Sequence, residues 1–387
     1  MNPHTWLKAS FARIPVGRRI PADAWPWALW GLLALWVFLA RLGDLPSVGS
    51  VFNVYRDAAL RWQSGQDLYP AELNFNYFPT FAAFFAPVAR MPFAVGDAVW
   101  HMLNIVLFAL GVRRMSGLGA RAETPARFLI ASLVTILLSA SAARHGQATL
   151  AMAGLMLFAV ADVECRSPWR AAVFSVLAVA VKPPAVVLML VLVAVYPRLL
   201  WRTAVALAIV FCGTLFLQAP DYVLHQYAAV PDMLLERGRR GGDWDHLFRA
   251  FSGFGWDLGQ AEQTLIRGAG AILVLLLCWL ARRRAPTVGP AFATYTFAAS
   301  YILLLGSGTE GNTYAMMGPI IGLLAASAWQ DKAHARFVSM AALTAGCVFS
   351  RTIHTAFPGT TPFRIQPVVC LALFVLVALR LRPRGTS

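Results

Sequence analysis

Apolar stretches long enough to cross a bilayer recur along the whole chain, separated by short polar or basic turns. The pattern predicts helical spans at about 25–42, 96–112, 128–143, 147–163, 170–182, 184–197, 203–219, 266–281, 289–306, 312–328, 337–351 and 366–380. Two of them, 170–182 and 184–197, are too short to cross an average bilayer upright. They read as a re-entrant pair or as one unit broken at Pro183-Pro184. Such a break is tolerated only where it is buried in protein or lines a cavity. The expected fold class is therefore an all-α polytopic membrane protein with about 12 transmembrane helices.

Two longer segments interrupt the pattern, at about 43–95 and 220–265. Long loops in a compact membrane protein usually carry function. In the first, VFNVYRDAALRWQSG predicts an amphipathic helix with Val51, Val54, Tyr55, Ala58 and Trp62 on one face, ended by Gly65. NYFPTFAAFFAPVARMPF follows, with an apolar run of only about 12 residues, which suits a helix lying in the interface rather than a span. The second segment is glycine-rich and charged with both signs, the composition of a segment that orders on binding.

Composition supports the membrane reading. Hydrophobic residues make up 58% and charged residues 13%, against about 25% charged in soluble domains. The net charge of +15 raises nucleic acid as a partner, but its placement excludes that. The N-terminus, 113–127, 162–170, 198–202, 282–284, 331–336 and 380–384 hold most of the Lys and Arg and few of the acids. That is the positive-inside pattern. It predicts a multi-pass protein with cytoplasmic N- and C-termini and both long loops outside. The expected organisation is a cytoplasmic segment 1–24, one membrane domain 25–380, and a cytoplasmic tail 381–387. The first 24 residues are basic but lack an apolar core, so no cleavable signal peptide is expected. Cys165, Cys212, Cys278, Cys347 and Cys370 are scattered, with no metal-ligand or disulfide spacing. No Walker A loop, GxSxG elbow, HExxH or Rossmann fingerprint occurs, which argues against a nucleotide-driven pump, a serine hydrolase and a zinc protease.

Charges in or beside a membrane are costly and mark candidate chemistry. Asp57, on the amphipathic helix, and Asp44, just past the first span, are candidate general bases; their bland alternatives are an arginine-paired helix residue and a turn aspartate. Arg144, His145 and Gln147 in ARHGQAT sit at a span junction, suited to a phosphate and a sugar or simply to a polar hairpin. Lys182, in AVAVKPPAVV, must snorkel or meet an anion, and a lipid phosphate is the preferred partner over a structural salt bridge. Glu310, Asn312 and Tyr314 in GSGTEGNTYAMMGP mark a later junction, where Glu310 would orient a sugar or pair with a base. Arg237, Arg239 and Arg240 form a phosphate clamp or pair with Asp243 and Asp245. Tyr55 and the neighbouring aromatics stack on sugars or belong to an interfacial belt.

VYRDAALRWQSGQDLYP followed by NYFPTFAAFFAPVARMP resembles the first outer loop of glycosyltransferase family 87. The matching positions are Val54-Tyr55, Ala58-Ala59, Gly65-Gln66-Asp67-Leu68-Tyr69, Phe75-Asn76-Tyr77-Phe78-Pro79, Pro87 and Met91-Pro92. HGQAT, AVAVKPP and EGNTYAMMGPII resemble later family motifs, in order, over roughly 26–330. The resemblance implies a GT-C-like bundle with interfacial helices in the first outer loop. It implies transfer of a mannose-like hexose or a pentose from a polyprenyl-phosphate carrier to a lipid-linked or glycan acceptor. Transfer would occur with inversion, on the outer face of the cell membrane (a bacterial inner membrane), among membrane lipids and without a metal or other cofactor. It also implies that an aspartate of the first outer loop is the base. That aspartate belongs about four residues before the tyrosine, where this chain has Val51, so the role passes to Asp57 or Asp44, or catalysis works differently or is lost. The rivals from another class are a transporter or flippase, compatible with the broken segment at Lys182, and an inactive transferase-like binder.

Overall fold

The computed structural model describes residues 24–43, 50–118, 125–239, 246–253, 255–284, 289–306, 308–356 and 365–381. Every regular element among them is helical. The apolar pattern becomes α1 (Ala24–Gly43), α4 (Phe93–Ser116), α5 (Pro125–Arg144), α6 (Thr149–Glu164), α7 (Pro168–Val181), α8 (Val186–Val195), α9 (Leu200–Leu207), α13 (Gln260–Arg284), α14 (Pro290–Leu305), α15 (Met317–Gln330), α16 (His334–Val348), with the short α17 (Ser350–Ala356) after it, and α18 (Ile365–Leu379). Helix α9 continues through a π-helical and a 3-10 turn to Phe216. Each expected span thus contains a helix. Among the described residues, five segments are long and apolar enough to cross a membrane by themselves: Ala24–Gly43, Phe93–Ser116, Pro125–Arg144, Pro197–Phe216 and Gln260–Arg284.

Contacts at the helix ends fix their directions. The last turn of α4, the end of α6 and the start of α7 meet where Asp162 accepts from Arg114 Nη2 at 2.7 Å and pairs with Arg170 Nε at 3.1 Å. Glu164 Oε2 accepts from Ala291 N–H at the start of α14, and Arg284 at the end of α13 donates to Leu381 O. These contacts define one basic end of the bundle. The opposite end, called the loop face here, carries both long segments. The break expected at Pro183-Pro184 is present. Lys182 is extended (φ −154°, ψ 123°), and a 3-10 turn, Pro183–Ala185, joins α7 to α8 at the loop face. The pair is a hairpin between the two ends.

Two crossings hold the core backbone to backbone. Gly111 of α4 and Gly154 of α6 leave no room for side chains: a Cβ on Gly154 would lie 2.4 Å from Leu107 O. Gly318 and Gly322 of α15, a GxxxG pair, let that helix approach Thr135 and Ala131 of α5, where a Cβ on either would lie 2.8 Å from the facing main chain. Because α4 and α6 meet at the basic end and α6 is shorter, α6 starts below the start of α4. Trp100, two turns into α4, donates to Gly146 O at 2.8 Å, and Asn104 Oδ1 accepts from Ala151 N–H.

The first long segment forms α2 (Phe52–Ser64) and α3 (Pro79–Ala89). Gly65, at φ 68°, ends α2 as expected, and α3 has 11 residues, too few for a span. The buried face of α2 differs from the expected one. Phe52, Tyr55, Ala58, Ala59 and Trp62 are buried, while Val51 and Val54 are only half-buried. The reason is that α2 packs against α3 and the start of α4 together, with Phe52 against Phe85 and Phe93. The two short helices share an aromatic core: Tyr55 lies 5.1, 4.9 and 5.6 Å from the rings of Tyr77, Phe81 and Trp100.

The second long segment is more regular than its composition suggested. It forms α10 (Pro220–Ala228), α11 (Val230–Arg239) and α12 (Leu247–Gly253). Helix α10 clamps onto the first segment. Gln226 Oε1 accepts from Leu68 N–H at 3.0 Å, Tyr222 donates to Gln66 O at 2.6 Å, and Tyr227 Oη lies 2.7 Å from Thr80 Oγ1.

A buried ion pair, Arg41 Nε to Asp97 Oδ2 at 3.0 Å, joins the loop-face ends of α1 and α4. Removing Arg41 leaves the buried Asp97 carboxylate with the His101 ring, Nδ1 at 3.6 Å, in place of its guanidinium partner. Arg41→Met is expected to cost about 3–5 kcal/mol, read as a lower melting temperature in detergent. Replacing Asp97 with Leu as well should recover most of the loss.

Candidate functional site

The site is built on the start of α6. Gly146, at φ +66°, turns the chain sharply between α5 and α6. A Cβ there would lie 2.9 Å from His101 Nε2, so the turn needs a residue without one. His101 is itself buried, with Nδ1 at 2.7 Å from Asp97 O and Nε2 at 3.2 Å from Arg144 O. Arg41, Asp97, His101 and Trp100 thus support the turn from α1 and α4.

Three consecutive residues then each reach a different part of the chain. Gln147 Nε2 donates to Glu310 Oε2 at 3.3 Å. Ala148 N–H donates to Tyr55 Oη at 3.4 Å. Thr149 Oγ1 accepts from Lys182 Nζ at 2.7 Å. A carboxylate, a phenol and a buried ammonium therefore converge on one short turn. The contacted backbone positions 147 and 149 are at most about 7 Å apart. Lys182 is only 6% exposed, and its position at the α7–α8 break aims it at this turn. Tyr55 and Tyr77 share a hydrogen bond at 2.7 Å. Burial, with the nearby Tyr77 and Glu310, pushes the Tyr55 phenol well above its ordinary range, so it stays a neutral hydroxyl.

The sequence-predicted residues divide accordingly. Tyr55, Gln147, Lys182 and Glu310 come together. Asn312 borders them, its Oδ1 accepting from Ser141 Oγ at 2.8 Å, and His145 Nδ1 lies 2.7 Å from Ser141 O. The Arg144 side chain is exposed at the rim. Tyr314 is buried in the main core, where it donates to Leu303 O, and does not face the site. Asp57 is exposed, on the side of α2 turned away from Tyr55, Ala58 and Ala59. Asp44 and Arg240 lie outside the described residues, as do the side chains of Arg237 and Arg239. Val51, at the position where the family resemblance places an aspartate, donates its N–H to His145 O at 3.1 Å, beside the same turn.

Sequence reasoning passed over Thr149, the Tyr55–Tyr77 pair and the Arg41–Asp97–His101 group. The last had a readable signal: Asp97 and His101 are an i,i+4 pair near the start of an otherwise apolar helix.

A cavity of about 600 Å³ opens on the loop face between the two long segments, lined by Asp67, Tyr69, Asn76, His225, Asp232 and Glu236 among others. It adjoins the site through tyrosines: Tyr69 Oη donates to Tyr77 O at 3.0 Å, and Tyr77 meets Tyr55. Among the described residues, no group of three or more His, Cys, Asp or Glu is arranged to hold a metal ion.

Comparison with known proteins gives a family. The model of glycosyltransferase family 87 matches residues 75–308. Among solved structures, the chain is similar to ArnT from Cupriavidus metallidurans bound to undecaprenyl phosphate, at 14% identity and a TM-score of 0.45, covering 92% of this chain and 76% of that one. No curated protein matches.

Proposed function

The chain belongs to glycosyltransferase family 87, and from that premise we propose that it moves a sugar, a hexose or pentose, from a polyprenyl-phosphate carrier to a lipid-linked or glycan acceptor, with inversion. The loop face is the outer face of a cell membrane in this reading, because the opposite end gathers Arg114, Arg170 and Arg282–Arg284. The bundle is a GT-C-like domain, and α2 and α3 are its interfacial helices.

One observation carries the reading: Lys182, Tyr55 and Glu310 meet at the start of α6. Lys182 neutralises the carrier phosphate, which makes it a better leaving group as the anomeric C–O bond breaks. Gln147 hydrogen-bonds the sugar or holds its partner in place. The Tyr55 hydroxyl fixes α2 against the turn. The level of the site also argues against the transporter reading. Lys182 lies at the loop-face end of α7, against the first residue of α6, whereas alternating access needs a site near the midplane.

The acceptor enters through the loop-face cavity. Its lining of carboxylates, an amide, an imidazole and a tyrosine suits the hydroxyl groups of a glycan. Tyr69→Ala should raise the acceptor KM about tenfold, equivalent to about 1.4 kcal/mol, and leave the donor KM within twofold, by initial-rate measurements with each substrate varied.

The reading is tested by giving purified protein radiolabelled polyprenyl-phosphate hexoses and pentoses with a membrane lipid extract. Label should move to an acceptor. Absence of transfer with every donor, together with uptake of solute in proteoliposomes, would favour the transporter.

A further inference from the structure

We infer that Glu310 is the general base that deprotonates the acceptor hydroxyl. This rests on the transferase reading above and deepens it. An inverting displacement needs a carboxylate beside the reacting carbon, on the side opposite the departing phosphate. Position 51, where the family resemblance places an acid, is a valine, and its backbone leans on the turn that carries Gln147. Other described carboxylates of the loop face do not fill the gap. Asp57, Asp67, Asp232 and Glu236 are exposed to solvent, and Asp97 is buried against Arg41.

Glu310 meets the requirement. It is half-buried in extended backbone (φ −94°, ψ 159°) just before the 3-10 helix Gly311–Met316, so its position is set by a structured element. It is held by the neutral amide of Gln147, and no ion pair ties it among the described residues. The amide orients it and leaves one oxygen for a substrate. Lys182 approaches the same turn through Thr149. The base and the cation that receives the leaving group thus contact residues only two apart in one short turn, within reach of a single bound substrate.

The step balances without a co-reactant. Glu310 takes the proton of the acceptor hydroxyl. The acceptor oxygen forms the new bond to the anomeric carbon, and the electron pair of the old bond leaves on the carrier phosphate oxygen. The products are the glycoside, polyprenyl phosphate and a protonated Glu310, which returns its proton to water.

The test uses the full chain in detergent micelles or nanodiscs with a polyprenyl-phosphate sugar that the wild type turns over. Glu310→Gln should lower kcat at least about 100-fold, leave the donor KM within threefold, and keep the melting temperature. Glu310→Asp, which retains the carboxylate, should be faster than Glu310→Gln. The inference is overturned if Glu310→Gln stays within threefold of wild-type kcat, or if its loss is all in donor KM, which would make Glu310 a sugar-binding group. It is overturned too if Asp57→Asn abolishes kcat while Glu310→Gln does not, or if Glu310→Asp is the slower variant. A wild type that transfers no sugar would instead sink the transferase reading itself.

Discussion

Lys182→Met is expected to reduce transfer by about 100- to 1000-fold, the effect of removing one preorganised charge from a dry site. The lysine is 94% sheltered by protein, so in the proposed reaction its ammonium would act on the leaving phosphate with little screening by water. Methionine keeps an unbranched apolar stem and removes the charge alone. The fold should therefore persist. Relief of the buried charge leaves the melting temperature unchanged or slightly higher, although Thr149 loses a hydrogen-bond donor. Donor binding, measured separately with the lipid phosphate alone, should weaken in parallel with kcat/KM. Full activity in a folded Lys182→Met protein would place the phosphate elsewhere, with the arginines at 237–240 as the alternative.

A second loss of stability is expected at Gly154. Glycine to alanine in an ordinary helix interior gains about 1 kcal/mol of helix propensity. Gly154→Ala should do the opposite. Its Cβ would sit 2.4 Å from Leu107 O and 2.7 Å from Leu107 C, both main-chain atoms of the facing helix. No rotamer change relieves that contact, so α4 and α6 must separate. Overpacking of this kind costs about 1–3 kcal/mol. Activity should fall as well, because the same crossing sets Trp100 against Gly146 and Asn104 against Ala151. Gly31→Ala on α1 is the control. Nothing lies within 4 Å of its Cβ position, so only the propensity term remains and the melting temperature should hold or rise. Equal behaviour of the two variants, by thermal unfolding in the same detergent, would contradict the tight crossing.

The contrast between these positions shows what the sequence can and cannot reveal. Runs of apolar residues disclosed the helices, because membrane-length burial is a property of each segment alone. Pro183-Pro184 disclosed the break, because proline removes a backbone donor wherever it stands. Gly65 marked the end of α2 for a similarly local reason. Partnership between segments was not legible. Gln147 and Glu310 are 163 positions apart, and Arg41 and Asp97 are 56 apart. Each looked like a polar residue at a junction or in an apolar run, with nothing to say which met which. Asp57 drew attention because its local setting fits a base, and only the packing of α2 shows that its side chain turns away from Tyr55. The face of α2 was misjudged at Phe52 and Ala59 for the same reason, since one helical stripe cannot announce that two neighbours cover it.

The difference in level between α4 and α6 acts as a depth gauge for what can react. From Phe93 to Trp100, where α4 meets the Gly146 turn, seven residues of helix rise about 10 Å. A hydroxyl that reaches the floor must be carried on a slender arm at least that long. The outermost sugar of a chain, or the headgroup of a lipid standing in the same leaflet, satisfies that. In the proposed reaction, the deep start of one helix would therefore select acceptors by reach before any side chain reads their chemistry.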